Sequence, residues 1–78
     1  MNTYIATFFA HFGAIRFRKQ LQERGLEGTL MPVPRKVSSS CGTCVRFSAD
    51  VLPEFHSDDV EQVFMQLEQS YDLIVSNV

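Results

Sequence analysis

Little in this chain of 78 residues points to a membrane, to nucleic acid or to a covalent framework. No apolar run approaches the roughly 20 residues of a membrane span, and His11, Arg16, Arg18 and Lys19 interrupt the apolar segment nearest the N-terminus. The opening Met1-Asn2-Thr3-Tyr4 lacks the basic start of a secretory signal, so the expected location is the cytoplasm. A net charge of −2 with scattered basic residues does not supply the electrostatic footprint that nucleic-acid binding needs. There are only two cysteines, Cys41 and Cys44. A reducing compartment disfavours a structural disulfide between them, which leaves metal binding or thiol reactivity. Tetrahedral zinc needs four ligands, and the two histidines, His11 and His56, are distant from the cysteines. A homodimer would bring four cysteines across its interface, but nothing in the sequence requires one. Neither a metal nor a cofactor is expected.

What is present is enough for one small core. Hydrophobic residues make up 45% of the chain and seven are Phe, which suits a single packed domain over residues 1–78. Tyr4-Ile5-Ala6-Thr7-Phe8-Phe9 is β-branched and aromatic and reads as a first strand. From about His11 to Arg24 the period changes, with Ala14, Phe17 and Leu21 on one helical face and Gly25 as the stop. Glu27 to Met31 reads as a second strand ending at Pro32, and Val45-Arg46-Phe47 as a third with Val45 and Phe47 inward. Ser48 to His56 reads as an irregular turn in which Pro53 discourages a helix and His56 is a linker residue. Ser57 or Asp58 then looks like an N-cap, with Asp58, Asp59 and Glu61 complementing a helix dipole. Val60, Val63, Phe64, Leu67 and Tyr71 recur at helical spacing, and Leu73-Ile74-Val75 reads as a final strand. The order strand, helix, strand, strand, helix, strand predicts an α+β ferredoxin-like βαββαβ sandwich, a four-stranded antiparallel sheet with two helices on one face. Phe8, Phe9, Phe12 and Phe17 are expected in its core.

Chemistry concentrates between the second and third strands, in Pro32-Val33-Pro34-Arg35-Lys36-Val37-Ser38-Ser39-Ser40-Cys41-Gly42-Thr43-Cys44. Two prolines restrict this segment, and Gly42 permits a sharp turn that presents the Cys41 thiol outside regular structure. In the expected topology the loop lies at the end of the sheet where the first helix begins, beside His11, Phe12 and Gly13. Arg35, Lys36, His11 and the helix N-terminus would there favour the thiolate, the reactive form. Successive N–H groups from Ser38 to Gly42, Ser40 among them, form a candidate anion nest for a charged sulfur. A free cysteine is commonly a small buried hydrophobe, and that description suits Cys44, beside Val45, better than Cys41 in its polar turn. The pair also makes a C-x-x-C, whose spacing allows a reversible disulfide. Thioredoxin-like use would want a helix directly after the first cysteine, where this chain has strand.

The run Pro32-Val33-Pro34-Arg35, then Val37-Ser38-Ser39-Ser40-Cys41-Gly42 and Val45-Arg46-Phe47, resembles a family of small bacterial selenium/sulfur carrier-like proteins. Tyr4 to Phe8 and Ala14 to Gly25 are similar in placement. The resemblance implies that Cys41 carries sulfur or selenium as a persulfide or selenopersulfide between a donor, such as a cysteine desulfurase, and an acceptor protein. Cys44 stands where the resemblance leads one to expect a small or aliphatic residue. The chain is thus expected to be a carrier more than a turnover enzyme. Two other readings stay open: a thiol redox or sensor protein using Cys41 and Cys44 together, and a ferredoxin-like interaction module that pairs through sheet edges.

Overall fold

The structure is a computed structural model that describes residues 1–52 and 58–78. Six elements follow one another: β1 (Asn2–Phe8), α1 (His11–Glu23), β2 (Gly28–Pro32), β3 (Thr43–Ala49), β4 (Val60–Gln66) and β5 (Tyr71–Ser76). The strands form one antiparallel sheet in the order β2-β3-β1-β4-β5. The α+β class holds, but the described residues form one helix and five strands in place of two helices and four strands. Among the described residues no helix is long and apolar enough to cross a membrane.

The first half forms as its sequence pattern dictates. Alternation along β1 sends Tyr4, Ala6 and Phe8 to one face, where Ala14, Phe17 and Leu21 of α1 meet them together with Val45, Phe47 and Ala49 of β3. Phe17 is the hub, with ring centroids 5.3 Å from Phe8 and 5.6 Å from Phe47, and Phe47 stacks on Tyr4 at 5.4 Å. Gly25 has a positive φ of 77° and follows the last turn of α1, as a glycine stop should. Phe9 and Phe12 depart from expectation: they are 45% and 63% exposed, because Phe9 lies past the end of β1 and Phe12 on the outer side of the first helical turn. Arg16 lies over the Phe12 ring at 4.4 Å.

The expected second helix is β4, the following turn and the start of β5, and the reason is a bulge. Phe8 pairs with Val60 and Thr7 with Gln62, so Glu61 is an extra residue in the ladder. The extra residue shifts the alternation, and Val60 and Val63 both reach the helix-side core. Two apolar residues three apart thus imitate a helical face within a strand. Thr7, fully buried, repairs the ladder at this point: its hydroxyl accepts from Gln62 N at 3.1 Å and donates to Gln62 O at 3.3 Å. Asp58 and Asp59 form the turn before β4, and Asp59 pairs with Arg16 at 2.9 Å. Leu73-Ile74-Val75 is strand as expected, inside β5, where Ile74 is passed over between the Val63–Val75 and Phe64–Leu73 pairs. The expected linker role of His56 and the Ser57 cap lie outside the described residues.

Residues facing away from α1 are buried too. Ile5, Thr7 and Cys44 have at most 1% exposure although alternation turns them from the helix, and Val37 of the β2–β3 connection is buried with them. That connection, residues 33–42, reaches across the second face to the β4–β5 turn, where Lys36 Nζ donates to Gln69 O at 2.8 Å. It returns to the end of β1, where Ser39 Oγ donates to Phe8 O at 3.2 Å. Its neck is closed by Val33 N to Gly42 O at 3.1 Å, so it is a compact Ω-like loop with adjoining ends.

Candidate functional site

Cys41 sits on the returning limb of this loop. The residue after it, Gly42, has φ 74°, a conformation in which a side chain is strained, and this lets the chain turn sharply into β3 at Thr43. Cys41 is half-buried, packs against the edge of the helix-side core, and donates from Sγ to Thr43 O at 3.4 Å. His11, the first residue of α1, meets Thr43 through Nδ1 and Oγ1 at 3.2 Å. The structure therefore brings His11 to within two residues of Cys41, across the gap between helix start and loop.

Cys44 has a different setting. It is a ladder residue, opposite Thr7 of β1 on one side and Met31 of β2 on the other, with 0% exposure and Sγ directed at Pro32 O 3.8 Å away. Burial first, then the neighbouring Cys41, pushes its thiol up to about 11 against a smaller pull from Arg46. At neutral pH Cys44 is a protonated, enclosed thiol and a poor nucleophile.

The basic residues expected beside the sulfur point elsewhere. Lys36 is anchored on Gln69, and Arg35 lines a shallow depression of about 280 Å³ with Pro34, Lys36, Leu67 and Ser70. Val37, beside them in the loop, is buried. The expected nest also has a different guest. Ser40 N donates to Glu61 Oε1 at 3.1 Å and Ser40 Oγ to Glu61 Oε2 at 2.6 Å, so the anion held by the serine run is an internal carboxylate. These bonds outweigh the cost of burial and hold the Glu61 carboxyl below its usual range. Reading Glu61 as a helix-start acid hid this role. The available signal was a lone acid inside the β-branched and aromatic run Val60-Glu61-Gln62-Val63-Phe64, whose valines three apart do not fit a regular alternating strand.

Among the described residues no group of three or more His, Cys, Asp and Glu side chains converges to hold a metal ion. What the arrangement offers is one half-buried sulfur, turned by Gly42 and flanked by fixed neighbours, next to one fully buried sulfur.

The family model described as "Putative Se/S carrier protein-like" matches residues 3–70, from β1 to the β4–β5 turn. No curated protein and no solved structure matches the chain.

Proposed function

Because the chain belongs to the Se/S carrier protein-like family, we propose that it carries sulfur or selenium on Cys41 and passes it to a partner protein. The observation that carries this reading is the contrast between the cysteines: Cys41 is presented on a glycine turn, and Cys44 is locked in the ladder with its thiol pushed up to about 11. In loading, the Cys41 thiolate attacks the outer sulfur of a donor persulfide. A sulfur–sulfur bond to Cys41 forms, the donor's sulfur–sulfur bond breaks, and the donor's inner sulfur leaves as a thiolate. Unloading is the same exchange, with an acceptor thiolate attacking the outer sulfur and Cys41 leaving. No net oxidation occurs in either step. A cysteine desulfurase supplied with cysteine is a suitable donor, and the same enzyme supplied with selenocysteine, which leaves it bearing a selenopersulfide, tests the heavier cargo by the same exchange.

Intact mass after incubation with that donor is the test. A gain of one sulfur or selenium is expected in the wild type and in Cys44→Ser, and none in Cys41→Ser. Loading that persists in Cys41→Ser would overturn the reading. Loss of two hydrogens dependent on both cysteines would replace it with a redox pair, a reaction that requires Cys44 to leave its place between Thr7 and Met31.

A further inference from the structure

We propose that Glu61 is a positioning residue for Cys41, the receptor into which the serines of the loop plug so that the sulfur is held in one direction. The inference rests on the reading of Cys41 as the sulfur-bearing residue. Its basis is that Cys41 stands between two residues whose places are fixed from different sides. Ser40, before it, is tied through both N and Oγ to Glu61. Gly42, after it, is tied through its carbonyl to Val33 N. A residue clamped at both neighbours keeps its Cα–Cβ direction, and what remains free is rotation about χ1.

The receptor is itself rigid. Glu61 is the bulge residue of a central part of the sheet, and its side chain is 8% exposed. Asn77, just after β5, holds the bulge by its backbone: Asn77 N donates to Glu61 O and Asn77 Nδ2 to Val60 O, both at 2.9 Å. Ser39, next to Ser40 in the loop, donates through its hydroxyl to Phe8 O, which adds the end of β1 to the same junction. Three strands thus converge on the acid, and the acid converts their rigidity into the placement of a loop that has no ladder of its own from Pro34 to Cys41. A carboxylate suits this task because it only accepts, with room for several donors, and charge-assisted bonds to N–H and O–H groups are the stronger kind.

The test uses Glu61→Gln and Ser40→Ala in the full chain, each checked for a native thermal transition. Two rates are read for each variant: alkylation of Cys41 by a small reagent in a Cys44→Ser background, and loading from a desulfurase. If Glu61 positions Cys41, both variants free the loop, so small-reagent alkylation quickens while protein-mediated loading slows, each by about tenfold, the rate equivalent of one such bond. The double variant should resemble the singles, since both substitutions break the same junction. A folded Glu61→Gln or Ser40→Ala with both rates unchanged would overturn the inference, whatever the outcome for the carrier reading. If the wild type takes no sulfur, the carrier reading fails, and the alkylation rates still decide whether Glu61 fixes the loop.

Discussion

The two faces of the sheet are covered by different means. On one side α1 lays down Ala14, Phe17 and Leu21 against Tyr4, Ala6, Phe8, Val45 and Phe47, a dry contact made of aromatic and aliphatic surface. On the other side a loop with one deeply buried apolar residue, Val37, is held by hydrogen bonds from Lys36, Ser39 and Ser40. Apolar burial is non-directional and accumulates with area, whereas a hydrogen-bonded cover contributes less net stability and fixes orientation more closely. The difference assigns stability to the helix side and geometry to the loop side. Cys41 lies where the two meet, its neighbours Ser40 and Gly42 tied by hydrogen bonds and its own side chain against the edge of the helix-side core.

The sharpest way to break this division is Phe17→Ala. Removing the hub of the helix-side core should cost about 3–5 kcal/mol, a large share of the margin of so small a domain. The urea midpoint should fall accordingly, whereas the alkylation rate of Cys41 at low denaturant should change less than in Glu61→Gln, because Cys41 touches only the edge of that core.

A middle-sized effect should appear with acid. The folded state lowers the Glu61 carboxyl pKa, so the unfolded chain binds the proton more readily and the stabilisation is present above the ordinary value of 4.5. It fades as pH falls through the depressed value. The difference in melting temperature between wild type and Glu61→Gln should therefore be full at neutral pH and shrink towards zero in acid. A pH-independent difference would show that the charge of Glu61 contributes nothing and that its shape alone matters.

The smallest effect should come from Arg16→Ala, which removes the 2.9 Å pair with Asp59 and the contact with the Phe12 ring. Both partners are substantially solvated, so about 0.5–1 kcal/mol is expected, falling with added salt. A loss well beyond that would mean that the Asp59 turn, and with it the entry to β4, depends on this pair.

The helix-covered half was legible in the sequence because its signals agree with one another. The β-branched start, the Ala14-Phe17-Leu21 stripe, Gly25 and the alternation of Val45 and Phe47 each point to the element that forms. The turn at Cys41 was legible from Gly42 and the burial of Cys44 from its place beside Val45, although the loop was expected to run through Cys44, which is a ladder residue of β3. The second half was misread because a bulge breaks the period-two rule on which strand reading rests, and Val60 and Val63 then satisfy a helical rule by accident. Proximity in sequence suggested Arg35 and Lys36 as neighbours of Cys41, but both lie against the β4–β5 turn, a long-range placement that local sequence does not encode. Nothing local announces that Ser40 will bond a side chain 21 residues further on.

Irregularity at Glu61 also has a meaning for how such a chain tolerates change. Deleting that one residue would bring Val60 next to Gln62 and leave a flawless ladder against Phe8 and Thr7. The β1–β4 ladder would be the more ideal object, with each of its residues paired in turn, although Ile74 would still be passed over in β5. It would also have nothing left for the serines to hold, so the sulfur's bearing depends on a spelling error kept in an otherwise regular text.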